Sequence, residues 1–158
     1  MTRIKNILVP LDFSEASKTA ARFAATLAQI HGARIYALHV KEPFPVHGRI
    51  MAGFLEDVQK HRLHKEKDRL AEVIPAKLKG SNTVKEIQVT GTPVARVIVE
   101  MAKKLGVDVI VLASKDRKGL MRFFKKDLAQ RVLRDASCSV FVIRCPGDKN
   151  TFSDKSRC

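Results

Sequence analysis

The chain is predicted to fold as a single-domain α/β protein built on a doubly wound parallel sheet. Short apolar runs rich in branched residues alternate with longer segments of helical spacing along most of the chain. Five such runs are separated by helical segments rather than by tight turns, the pattern of parallel strands joined by right-handed crossovers. At 158 residues the chain has the size of one domain, enough to bury roughly two thirds of the surface that its unfolded form exposes.

The elements follow in order. Ile4 to Pro10, "IKNILVP", is a buried strand bounded by proline and Asp12. Ser14 opens an alanine-rich helix as its N-cap, and Gly32 stops it. Arg34 to Lys41, "RIYALHVK", is the second strand. A loop with two prolines and two glycines leads to a long polar helix from about Phe54 to Leu78, which Pro75 ends or kinks. "TVKEIQVTG" is the third strand, and Thr92 caps the next helix with Pro93 at its first position. "VDVIVLA" is the fourth strand, "DLAQRVLRDA" a helix, and "SVFVIR" the fifth strand. The domain is expected over residues 1–146, with 147–158 a mobile tail lacking any apolar period.

Composition narrows the classes. Three cysteines without a CxxC spacing exclude a disulfide scaffold and a cysteine metal site, and fit a reducing cytoplasm with Cys138 and Cys145 as small core residues. No segment reaches 18 apolar residues, and the first residues lack the apolar length of a signal peptide, so no membrane partner is expected. The net charge of +14 favours polyanions through its field. Much of it, as in "KHRLHKEKDRLAE", reads as a solvated helix face with i,i+4 pairs. The few aromatic residues do not alternate with basic ones, which argues against a stacking platform for single strands and makes nucleic acid an unexpected partner.

In a doubly wound sheet, ligands bind beyond the carboxyl ends of the strands at the switch in strand order. The loops after Pro10, Val40, Val89 and Ala113 are therefore the places where a site belongs. The residues there, "KNILVPLDFSEAS", "ALHVKEP", "VTGTPVARVIVEMAKKLGVDVIVLAS" and the closing "VLRDASCSVFVIR", together resemble the universal stress protein family from about Lys5 to Arg144. The resemblance implies a Rossmann-like sheet, akin to the adenine nucleotide alpha hydrolases, of order 3-2-1-4-5. It also implies a homodimer paired through the last strand, here Ser139, Val140, Phe141, Val142 and Ile143, which carries no charge or proline to blunt an edge.

The family has an ATP-binding branch and a non-binding one. The resemblance places Asp12 at the adenosine end of a ligand and Val40 against the adenine. It further implies a phosphate loop, G-x2-G-x9-G-[ST], running from Ala113 to Asp127. All four key positions are changed: Ala113, Asp116 and Lys126 replace glycines, and Asp127 replaces the hydroxyl. Glycines let backbone N–H groups approach phosphate, and Asp116 sets a carboxylate where phosphate would come. Asp127 precedes "LAQRVLRDA" in a D-x-x-Q capping pattern, so the chain's own carboxylate fills the helix N-terminus that a phosphate would need. Against this stand six basic residues within Lys115 to Lys126, and lysine binds phosphate without any glycine loop. The candidate cleft comprises Pro10, Leu11, Asp12, Val40, Gly91, Ala113, Ser114, Lys115, Arg117, Gly119, Lys126 and Asp127.

Other residues carry no chemistry on their own. His61 and His64 stand at i,i+3 without a third ligand. His39 is expected buried and hydrogen-bonded, and Asp12 with Ser14 to cap a helix and line the cleft. No nucleophile, base and oxyanion set is evident. The sequence thus reads as a non-catalytic, dimeric stress-response factor with a degenerate nucleotide cleft and no required cofactor. Two alternatives stand beside it. One is an ATP- or AMP-binding protein whose Lys115, Arg117 or Lys126 take the phosphates, with slow ATPase activity as its extension. The other is a basic adaptor for nucleic acid or acidic protein.

Overall fold

The computed structural model of the protein describes residues 3–43, 83–115 and 128–145. Five strands and three helices lie in these residues: β1 (Asn6–Pro10), α1 (Glu15–His31), β2 (Arg34–Lys41), β3 (Val84–Thr90), α2 (Val94–Lys104), β4 (Val109–Lys115), α3 (Leu128–Asp135) and β5 (Ser139–Cys145). The strands form one sheet of order β3-β2-β1-β4-β5, and all four pairings are parallel. The expected polar helix over 54–78, with His61 and His64, lies outside the described residues, as does the tail.

The strand sequences explain the layering. Ile7, Leu8 and Val9 are consecutive and buried, because a central parallel strand is covered on both faces. Ile7, Val9, Ile35, Ala37, Val109 and Val111 face α1. Leu8, Tyr36, Leu38, Ile110 and Leu112 pack on the opposite side with Ile98 and Ala102 of α2 and Ala129 and Val132 of α3. The alternation has the period of two that a strand imposes. Helix α1 buries Ala16, Ala20, Ala24 and Ala28 at intervals of one turn, with Ala21 and Ala25 beside them. Small side chains on that stripe let the helix lie close to the sheet.

Local signals fix the helix ends. Ser14 is the N-cap of α1: its hydroxyl accepts from the Ser17 N–H, and Gly32 closes the helix at φ 64°, a left-handed conformation that glycine adopts without strain. The expected cap of α2 is corrected. Pro93, not Thr92, is its N-cap, with extended backbone (φ −73°, ψ 145°) and no side-chain capping bond; the helix begins at Val94. The Pro93 carbonyl takes the Arg96 and Val97 N–H groups at 3.0 and 3.3 Å, so the proline precedes the first turn. Strand β4 begins two residues later than expected. The Val107 N–H bonds to the Ala102 carbonyl at 3.0 Å and finishes α2, leaving Val109 to start the strand. Likewise Ile4 and Lys5 precede β1, with the Asp108 carboxylate accepting from the Lys5 and Asn6 N–H groups at 2.8 Å each.

Candidate functional site

The chain runs from β1 outward to β2 and β3, then returns across the sheet to β4 and β5, so the switch in strand order falls between β1 and β4. Only Ile7–Val109 and Leu8–Ile110 pair those two strands, whereas β1 and β2 pair over five positions. The paired register of the two strands ends at Leu8 and Ile110, and the switch in strand order lies toward their carboxyl ends. This is the place that the connectivity of a doubly wound sheet reserves for a ligand.

Pro10 ends β1, and the N–H of buried Leu11 extends the pairing with β2 by one more bond, to the Leu38 carbonyl at 2.8 Å. Asp12 follows on the exposed side. Its Oδ1 accepts from the Ser14 hydroxyl at 2.6 Å and from the Ser14 N–H at 3.0 Å. Partial burial works to raise the Asp12 pKa, but the hydrogen bonds from Ser14 and Ser17 outweigh it and hold the carboxyl below its ordinary value. Asp12 therefore stays charged at neutral pH and already has two short donors. Its Ser14 partner caps α1, so the carboxylate and the helix start form one unit.

Between them Phe13 adopts φ 62°, uncommon for a residue with a side chain. Its ring lies 4.6 Å from that of His39, whose Nδ1 is 2.8 Å from the Leu11 carbonyl. His39 is thus hydrogen-bonded as expected, and half-buried. Val40, on the other face of β2, packs against the cluster around Leu38 and Ile98 and pairs in register with Val89. Gly91 continues from β3, and its N–H donates to the Lys41 carbonyl at 2.9 Å. A Cβ on Gly91 would meet Val97 Cγ2 at 2.7 Å, so a larger residue would have to displace that side chain; the constraint is contact and not dihedral angle. Ala113 and Ser114 are half-buried near the end of β4, and Lys115 is its last residue.

The structure thus gathers Pro10, Leu11, Asp12, Val40, Gly91, Ala113, Ser114 and Lys115 at the carboxyl ends of four adjacent strands. Arg117, Gly119, Lys126 and Asp127 lie outside the described residues. Sequence reasoning missed Phe13 and the cavity of about 280 Å³ between β3 and α2, lined by Val89 to Thr92, Arg96, Val97, Glu100 and Met101. Arg96 and Glu100 pair at 2.8 Å along its wall. The i,i+4 spacing of that pair was the available signal; the Phe13 ring contact is tertiary and had none. Among the described residues no group of three or more His, Cys, Asp or Glu side chains stands ready for a metal. No helix among them is long and apolar enough to cross a membrane. Cys138 is half-buried against the core, and burial pushes its thiol pKa up.

Sheet order and layering define a Rossmann-like α/β protein with a candidate ligand site at the switch in strand order. The chain belongs to the universal stress protein family, whose sequence profile matches residues 3–144. It is 31% identical over 140 residues to a universal stress protein of Thermus aquaticus, covering 89% of this chain and 98% of that one. It is 30% identical over 142 residues to one of Methanocaldococcus jannaschii, covering 90% and 83%. The solved structure of UspA from Lactobacillus plantarum superposes with a TM-score of 0.70 at 28% identity, over 91% of this chain and 100% of that one. Two further solved members share the fold: one in complex with cAMP (TM-score 0.62, 18% identity, 90% and 98% coverage) and one from Archaeoglobus fulgidus in complex with dAMP (0.53, 21%, 89% and 98%).

Proposed function

We propose that this chain is a non-catalytic, dimeric universal stress protein of the cytoplasm, formed by residues 1–146, whose nucleotide crevice has lost its phosphate loop. The observation that carries this reading is the switch in strand order between β1 and β4 set against the sequence that borders it. Asp12 and Val40 stand at the carboxyl ends of β1 and β2, next to the switch in strand order between β1 and β4, which supports a ligand site there. The four positions where phosphate donors would stand are Ala113, Asp116, Lys126 and Asp127. Backbone N–H groups in a glycine loop are fixed in place, whereas lysine tips are mobile, so the exchange weakens phosphate binding. Dimerisation is proposed through β5, an edge strand on which Phe141 and Val142 are 41% and 36% exposed.

A second reading is favoured by the basic stretch from Lys115 to Lys126 and by the relatives that hold cAMP and dAMP. In it Asp12 and Val40 frame an adenine nucleoside while Lys115, Arg117 or Lys126 receive the phosphates. Calorimetric titration of the nucleotide-stripped protein with ATP and magnesium, and separately with AMP, divides the two. The first reading expects no heat and no thermal shift at millimolar nucleotide. Micromolar binding overturns it and establishes the second.

A further inference from the structure

The amino ends of the strands, opposite the candidate site, carry a second surface. Arg34 begins β2, and Lys85 of β3 pairs in register with Tyr36. Tyr36 is buried in the cluster that includes Ile98 and Ala102 of α2. Since side chains alternate along a strand, Arg34 and Lys85 lie on the same sheet face as Tyr36. They are diagonal neighbours there, at about the 7–8 Å that such positions allow. Lys103 and Lys104 follow Ala102 in the last turn of α2, which packs on that same face. All four are exposed, and among the described residues none has an ion-pair partner.

The neighbouring carboxylates are otherwise engaged. Asp108 accepts from the Lys5 and Asn6 N–H groups at 2.8 Å, Asp135 pairs with Arg134 at 2.8 Å, and Glu86 faces the other side of β3. A lysine pair at a helix C-terminus complements the helix dipole, which accounts for Lys103 and Lys104. It does not account for Arg34 and Lys85, which sit at strand starts. Lys5 and Arg3 extend the positive charge past the start of β1.

We propose that this basic rim, formed by Arg34, Lys85, Lys103 and Lys104, binds the phosphate backbone of double-stranded nucleic acid without sequence preference. Composition made nucleic acid an unexpected partner for want of a stacking platform for single strands, and the rim has none either, since no aromatic side chain is exposed on β2, β3 or α2; contacts to duplex phosphates need no such platform. Among the described residues the exposed large apolar side chains, Phe23, Ile30, Leu128, Leu133, Phe141 and Val142, all lie on α1, α3 or β5. A surface of unpaired cations without an apolar centre differs from a protein interface, whose core is depleted of charge. It also lacks the apolar face with which a helix enters a membrane. Exposed cations at one end of the sheet, on the face that α2 covers, suit a polyanion that gives up counterions on binding, and duplex nucleic acid presents phosphates most densely.

The test is fluorescence anisotropy of the full chain with a labelled 20-base-pair DNA duplex, titrated at several sodium chloride concentrations. The wild type should bind with a steep salt dependence. The variant Arg34→Gln, Lys85→Gln, Lys103→Gln, Lys104→Gln should lose at least tenfold in affinity at low salt. Its log–log salt slope should fall by about 2 to 4, since each phosphate contact contributes about 0.9. A second variant, Lys115→Gln, Lys118→Gln, Lys125→Gln, Lys126→Gln, should retain most of the binding. Independently of any variant, duplex should protect Lys85, Lys103 and Lys104 of the wild type from acetylation by an N-hydroxysuccinimide ester. No wild-type binding, unchanged binding by the rim variant, or binding only to vesicles of phosphatidylglycerol would each overturn the proposal. So would absence of that protection.

Discussion

Asp12, Phe13 and Ser14 show how three adjacent residues divide between what is written locally and what is not. The cap was legible because Ser14 acts on an N–H three residues ahead and needs nothing else from the fold. Ser14→Ala should therefore lower stability by about 0.5–2 kcal/mol in urea titrations. Asp12 adds a pH dependence. Its folded pKa lies below the ordinary value of 3.8, so its contribution is present above the unfolded pKa and fades as pH falls through the lowered folded pKa. Asp12→Asn should flatten stability against pH below about pH 4, and an unchanged acid limb would show that the Ser14 bonds do not persist in solution. The left-handed Phe13 and its contact with His39 depend on residues 26 positions apart, and no local rule announces them. Gly91 was legible as a loop residue but not for its reason. The branched Val97 tip 2.7 Å from its missing Cβ predicts that Gly91→Ala lowers the melting temperature. Adding Val97→Ala should restore part of that loss, because it removes the colliding methyl.

Elements were read well where period and buried apolar content agree. Strand β2 runs Arg34–Lys41, as its sequence states, because its four consecutive buried residues, Ile35 to Leu38, each pair with a parallel neighbour on both sides. Strand β4 was displaced, since Val107 is as apolar as Val109 and only the bond to Ala102 assigns it to the turn. The start of α2 was displaced by one residue for a similar reason: Thr92 is the better capping type, yet the Pro93 carbonyl makes the first-turn bonds. The core of that helix carries a quantitative expectation. Ile98 is fully buried among Leu38, Ile110 and Ala102, so Ile98→Ala should cost about 2–5 kcal/mol by transfer and cavity terms. The edge strand carries a different one. If β5 joins two copies, Val142→Lys places a charge on the pairing edge and should shift the sedimentation coefficient from dimer to monomer while the far-ultraviolet dichroism stays unchanged. A dimer that persists at micromolar concentration would assign the interface elsewhere.

At the scale of the whole molecule, the two ends of the sheet have different characters. The carboxyl ends gather Asp12, Val40, Gly91 and Ala113 around the switch in strand order between β1 and β4, and the amino ends hold Arg34, Lys85, Lys103 and Lys104. Strand order and this separation follow from connectivity, which is why the switch in strand order could be placed from sequence. The competence of a site there could not, because phosphate affinity depends on where backbone N–H groups point and residue types alone do not give that. Exchange of the four changed positions turns the question into an experiment. Ala113→Gly, Asp116→Gly, Lys126→Gly and Asp127→Ser together supply the three glycines and the hydroxyl of the family's phosphate loop and take two carboxylates out of the sequence before α3. With the six basic residues reduced only by Lys126, ATP affinity measured by calorimetry should rise at least tenfold over the wild type. Serine caps a helix about as well as aspartate, so the exchange at 127 should by itself leave the melting temperature nearly unchanged, and saturating ATP should raise it, since a ligand bound only to the folded state stabilises it. A variant that folds, melts as the wild type does and still ignores ATP would mean that these four residues are not what closes the crevice to phosphate.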